Sequence, residues 1–232
     1  TTAGTGSEVT PYAILTNNTM ETKSFLTSDQ VFPRLAFLDG RYTMNLPKKV
    51  TRATMVDALT HAIEGYLAVR ATAPVQLFAL ESLKQIGALL PVLAADGVLD
   101  LEQREQLLYA SMLAGMVISQ SGTTAVHAMG YSLTYFKGLE HGVANGLLIT
   151  EYLRYINRAR PDDVSRLLNT LCFCSLNAMQ TFFTDLLGPF SLTPKEADKF
   201  AAIAAKAGNI KNTRPEPTQE ELRQILDNCF LK

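Results

Sequence analysis

The chain has 232 residues, 47% of them hydrophobic and 19% charged, with 21 Lys and Arg against 22 Asp and Glu for a formal charge of −1. That supplies apolar material for one or two domains with a sizeable core and disfavours collagen, coiled coil and disorder. With a pI near 6.3, nothing in the charge points to nucleic acid or an anionic membrane surface, and no apolar run is read as approaching the roughly 20 residues that cross a bilayer.

The chain opens Thr1-Thr2-Ala3-Gly4, with no Met and no basic-then-apolar leader, and reads as the middle of something longer. Thr1 to Ser7 is a small-residue loop. Val9 to Thr16 has the β-branched and aromatic character of a strand. Asn17-Asn18-Thr19 is turn chemistry, and Lys23 to Thr27 suits a returning strand. The run Arg34 to Leu38, stopped by Asp39-Gly40, is expected to be a short buried strand. Two or three strands are too few to stand alone and need a sheet from elsewhere.

From Pro47 onward the pattern is helical. Val56, Leu59, Ile63 and Tyr66 fall on one stripe of a helix over residues 49–69. Pro74 opens a second helix that ends at Asp96-Gly97. Asp100 caps a third, and Thr193-Pro194-Lys195-Glu196 and Thr218-Gln219-Glu220-Glu221 are capping boxes for two more. Cys172 and Cys174, two apart on an expected helix, face apart and are not read as ligands. With Cys229 they make an odd, sparse set, which favours a reducing, cytoplasmic setting over a disulfide framework. The domain boundary is placed at Leu46-Pro47, giving remnant strands over 1–46 and an all-helical domain over 47–232.

The chemistry concentrates on three histidines, His61, His127 and His141. A single His among apolar neighbours is more often a core residue than a ligand. Here Asp57 and His61 stand four apart in a helical stretch, so both project from one face, which also carries Glu64. Ala58, Leu59, Ala62 and Ile63 surround the pair, and a buried charge needs a partner. His127 sits among small apolar residues, and His141 opens a helix after a loop. One carboxylate and three imidazoles suit a divalent first-row metal: Fe(II) or Zn(II) by ligand type, with Ni(II) or Co(II) allowed on affinity.

Four motifs, Thr1-Thr2-Ala3-Gly4-Thr5-Gly6-Ser7-Glu8, Asp57-Ala58-Leu59-Thr60-His61-Ala62-Ile63-Glu64, Val126-His127-Ala128-Met129 and His141-Gly142-Val143-Ala144-Asn145, come in the order of the iron-containing (group III) alcohol dehydrogenase family, which the chain resembles. The resemblance implies a mostly α fold: a metal-binding helical domain of the dehydroquinate synthase-like type, preceded by two or three strands left from an α/β dinucleotide-binding domain. It implies Asp57, His61, His127 and His141 as metal ligands, and Thr1, Thr2, Gly4, Thr5, Thr10 and Lys23 as residues facing NAD or NADP. The implied reaction is reversible oxidation of a small alcohol to its aldehyde or ketone, with the metal polarising the substrate oxygen. Beyond the metal ligands no catalytic side chain is assigned, nucleic acid and membrane are not expected as partners, and a homo-oligomer is left open.

Two departures stand out. Tyr131 occupies the place where many family members carry a further His, so a proton relay there is in doubt. Met55 stands where Gly often precedes the Asp motif. The phosphate loop and first βαβ half of the family are not in the sequence, and the isolated chain is expected to bind metal but to hold NAD(P) poorly and turn over little. Competing readings are a non-catalytic metal-binding helical module and a glycerol dehydrogenase-like relative, the latter disfavoured because it usually uses three ligands.

Overall fold

A computed structural model describes residues 2–19 and 21–231. After a short 3-10 turn over Ser7–Val9, strands β1 (Tyr12–Asn17) and β2 (Thr22–Thr27) form an antiparallel hairpin in which Tyr12 faces Thr27 and Ile14 faces Phe25. Among the described residues these are the only strands. Tyr12 anchors the hairpin by donating its hydroxyl to the backbone carbonyls of Ile118 and Ser119, at 3.2 and 3.3 Å. The hairpin leaves Ile14 and Phe25 on one face, and Leu15 and Leu26 on the other, more than half exposed.

The segment from Arg34 to Gly40 corrects the sequence reading. Residues 34–39 carry no strand pairing, Gly40 opens a 3-10 turn over Gly40–Thr43, and Phe37 is 85% exposed. A strand needs a neighbour to satisfy its backbone groups and cover its side chains, and none lies beside this segment among the described residues.

Nine α-helices follow among the described residues: α1 (Lys48–Leu67), α2 (Ala73–Ala94), α3 (Leu101–Ser121), α4 (Ala125–Lys137), α5 (His141–Asn157), α6 (Pro161–Thr170), α7 (Leu176–Leu187), α8 (Pro194–Ala204) and α9 (Gln219–Phe230). Sequence logic explains most boundaries. Asp100 with Gln103, Thr193 with Glu196 and Thr218 with Glu221 form complete capping boxes, each satisfying orphan amides at a helix start. Pro74 and Pro194 sit in first turns, where a missing N–H costs nothing.

Helix α1 is the axis of the core. Its expected apolar stripe is too narrow a description, because every residue from Met55 to Leu67 is buried. Helices α2, α3 and α5 pack around it, so it has no solvent face over that stretch. Helix α2 is the other correction: its 22 residues are long and apolar enough to cross a membrane. It buries Val75, Ala79, Leu83, Ile86, Leu90 and Leu93 in the helical core, so its apolar length serves packing in this fold. Cys172 and Cys174 lie in the turn between α6 and α7, both exposed, rather than on a helix.

One seam sets the site. A Cβ on Gly142 would overlap the Ala53 carbonyl oxygen, and one on Gly146 would overlap Val56 Cγ1. These two glycines, one turn apart on α5, let its backbone lie directly against α1.

Candidate metal centre

Asp57, His61 and Glu64 project from α1 at four- and three-residue spacing and therefore share a face. Helix α4 presents His127 in its first turn. Helix α5 begins with His141 and presents Asn145 one turn later.

These side chains meet. Asp57 Oδ1 lies 3.8 Å from His61 Nε2, 4.0 Å from His127 Nε2 and 3.8 Å from His141 Nε2. Ligand atoms of Asp57, His127 and His141 fall within 4.8 Å of one another. His61 sits slightly apart from that trio, its ring stacked on His127 with centroids 4.8 Å apart and planes 20° off parallel. Asp57, His61 and His127 are buried, while the His141 side chain keeps a third of its surface. His141 therefore marks the side on which the cluster is open to solvent.

Several lone-pair donors aimed at one point repel each other unless something positive lies between them. The Asn145 amide supplies part of that, its Nδ2 standing 3.5 Å from Asp57 Oδ1, 3.2 Å from His127 Nε2 and 3.3 Å from His141 Nε2. Its Oδ1 is buried with no hydrogen-bond partner, as is His61 Nδ1. Hard carboxylate and borderline imidazole donors on one centre fit a divalent transition ion.

The electrostatics keep three of the four donors in ligating form. Burial pushes the Asp57 carboxyl up, but His61, His141, His127 and the Asn145 amide together hold it below its usual value. Burial lowers His61 more than Asp57 raises it, and the Gly4 backbone is also among the groups acting on this ring. Burial takes His141 down to about 4, against the pull of Asp57. Near neutral pH the carboxylate is thus charged and these two imidazoles are neutral with a lone pair available, the state that metal binding requires. His127 differs: burial lowers it, but the neighbouring Glu64 carboxylate prevails and raises it.

Glu64 is a residue whose role the sequence reading missed. It is fully buried. Its Oε2 contacts His127 Nδ1, and its Oε1 accepts from the Thr124 amide at 2.8 Å, the Thr124 hydroxyl at 2.7 Å and the His127 amide at 3.3 Å. The Thr124 hydroxyl, at the start of α4, is also 3.0 Å from Tyr152 Oη. Thr124 does not cap α4 with its own side chain; Glu64 takes that place from another helix. The available signal was its position on the face shared by Asp57 and His61.

Tyr131 stacks parallel on His141, centroids 5.7 Å apart and planes 11° off, and stands edge-on to His127 at 6.3 Å. Burial, then Glu64 and Asp57, raise its phenol well above its ordinary value. It is a ring wall of the cluster rather than a group that gives up a proton near neutrality.

The residues expected to face a nicotinamide cofactor are placed unevenly. Gly4 is buried against α1, where a Cβ would lie 2.6 Å from Thr54 Cβ, so the opening loop packs on α1 three residues before Asp57. Thr10 is buried, Thr2 half-buried, and Thr5 exposed with its hydroxyl 3.2 Å from that of Ser7. Lys23 is on β2, its Nζ donating to Thr16 Oγ1 across the hairpin at 2.7 Å. Thr1 lies outside the described residues.

A helical bundle gathering one carboxylate and three imidazoles from three of its helices defines an α-domain organised around a cluster of metal-type donors. The chain belongs to the iron-containing alcohol dehydrogenase family. Residues 51–230 match the C-terminal model of the Fe-containing alcohol dehydrogenase family, and residues 1–40 match the iron-containing alcohol dehydrogenase model. Its relatives include the 1,3-propanediol dehydrogenase of Citrobacter freundii, 32% identical over 99% of this chain and 64% of that protein. Long-chain-alcohol dehydrogenase 1 of Geobacillus thermodenitrificans is 34% identical over 99% of this chain and 62% of its own length. Among solved structures, an iron-containing alcohol dehydrogenase from Thermotoga maritima matches at 39% identity and TM-score 0.90, covering 100% of this chain and 62% of the other. The chain thus spans just under two thirds of the length of these relatives. The mostly helical fold preceded by two strands agrees with the expectation from sequence.

Proposed function

We propose that this chain carries the metal-binding helical part of an NAD(P)-dependent alcohol dehydrogenase, whose reaction is reversible hydride transfer between a small alcohol and a nicotinamide. One observation carries the reading: Asp57 Oδ1 has the Nε2 atoms of His61, His127 and His141 around it at 3.8 to 4.0 Å. These four side chains would hold the ion, with Fe(II) favoured and Zn(II) and Ni(II) sharing the same ligand preference. A bound divalent ion supplies Lewis acidity toward the substrate hydroxyl.

The chain's own residues do the rest. Asp57 contributes the negative charge. The buried face of α1 excludes water behind the cluster, and the partly open His141, with Tyr131 stacked on it, frames the approach of the alcohol. Thr1, Thr2, Gly4, Thr5, Thr10 and Lys23 are assigned to the nicotinamide side, a reading supported by the packing of Gly4 on Thr54, three residues before Asp57 on α1. The relatives add support, one of them being named an NAD-dependent methanol dehydrogenase, from Bacillus methanolicus. We further assign residues 1–46 to the remnant of a dinucleotide-binding domain and 47–232 to the metal-binding domain. The break between the two family matches, after residue 40 and before 51, and the exposed apolar side chains on both faces of the hairpin favour that division.

The test is metal analysis after reconstitution with Fe(II) or Zn(II). The wild type is expected to retain the ion through desalting, and the His127→Ala variant to lose it. Equal metal content in the two would remove His127 from the ligand set.

A further inference from the structure

We propose that Glu64 is a positioning residue that fixes the tautomer of His127 and thereby sets metal affinity. The inference rests on the metal-site reading above. His127 Nδ1 contacts Glu64 Oε2, while His127 Nε2 faces Asp57 and His141. A carboxylate only accepts hydrogen bonds, so the proton of neutral His127 belongs on Nδ1 and the lone pair on Nε2. Nε2 then turns its lone pair toward the shared centre, where the Asn145 Nδ2 also faces it at 3.2 Å, an arrangement in which the outer carboxylate orients the ligand and raises its basicity.

The other oxygen makes this assignment rigid. Glu64 Oε1 receives two backbone amides, from Thr124 and His127, together with the Thr124 hydroxyl. Backbone amides can only donate, so only an acceptor can occupy that position. A glutamine at residue 64 must therefore put its carbonyl oxygen there and turn its NH2 toward His127 Nδ1. Facing a donor, Nδ1 must accept, and the proton moves to Nε2, where it blocks metal binding. A change of one heavy atom thus reverses the ligand while leaving shape and capping intact.

The variant is Glu64→Gln, and two readouts apply. Long-range 1H–15N spectra of the metal-free protein in alkaline buffer should place the His127 proton on Nδ1 in the wild type and on Nε2 in the variant. Competition titrations with Zn(II) and Co(II) should show binding weakened about 10–100-fold, the range typical of lost outer-shell partners, with an unchanged far-UV circular dichroism spectrum. A wild-type proton on Nε2 overturns the proposal, and that measurement needs no variant to fold. Equal Zn(II) affinity in a folded Glu64→Gln variant also overturns it. A wild type that takes up neither ion defeats the metal reading instead, and the tautomer still decides the role of Glu64.

Discussion

Replacing Gly142 by alanine tests whether the α1–α5 seam sets the site. A methyl group there would overlap the Ala53 carbonyl oxygen and lie 2.7 Å from its carbon and 3.1 Å from Asp57 Cβ. Ordinary carbon–carbon contact is about 3.5–4.0 Å. Ala53 contributes backbone of a fully packed helix, which cannot swing aside as a side-chain tip can. Helix α5 must therefore retreat by roughly 1 Å, and overpacking of this kind costs about 1–3 kcal/mol. His141 is the adjacent residue and moves with the helix, away from an Asp57 oxygen now 3.8 Å from its Nε2. Urea unfolding of metal-free protein should show the lower midpoint, and Zn(II) competition titration the weaker binding. Gly208→Ala is the control, since a Cβ there meets nothing within 4 Å. If Gly142→Ala kept the wild-type midpoint and affinity, the close helix approach would be irrelevant to the centre.

Two further outcomes follow from the same geometry. Asn145→Leu removes the buried donor that stands between Asp57 and the two rings, so the metal-free protein should melt lower while the gain on adding Zn(II) grows. Thermal shifts with and without Zn(II) check this, and an equal gain in both proteins would rule it out. Glu196, held at about 2 by its hydrogen bond to Lys137 and by the amide and hydroxyl of Thr193, links α8 to the last turn of α4. Because its folded value is depressed, its stabilisation is fully present above the ordinary carboxyl range and is lost as pH falls through about 2. The deficit of Glu196→Gln in urea midpoint should therefore be largest near neutrality and shrink steadily below pH 4.5; a deficit independent of pH contradicts the assignment.

Local signals in the sequence were strong wherever the cause was local. Asp100, Thr193 and Thr218 mark helix starts because their side chains bond amides three residues away. The Asp57–His61 pair was legible for the same reason, one helical turn of spacing. The meeting of these residues with His127 and His141 was legible only through resemblance, since 66 to 84 residues of chain separate them from His61 and Asp57 and no periodicity spans that distance. Glu64 was noticed on the right face, yet its partners lie 60 and 63 residues on, and its role could not be read from spacing. Arg34 to Leu38 failed as a strand because an apolar run fixes only the wish for a neighbour. The full burial of α1 escaped the stripe reading because the pattern shows which positions are apolar, whereas the packing of three helices around α1 decides which positions water reaches.

The carboxylate that closes the start of α4 has a consequence for how the molecule folds. This helix has 13 residues, a length at which an isolated segment is barely helical in water, and the anion that completes its first turn arrives from 60 positions earlier in the chain. Its formation is therefore contingent on docking, and such long-range dependence slows assembly. A synthetic peptide spanning 124–138 should be largely unstructured, and the His127 imidazole should acquire its final orientation only when the two helices close on each other.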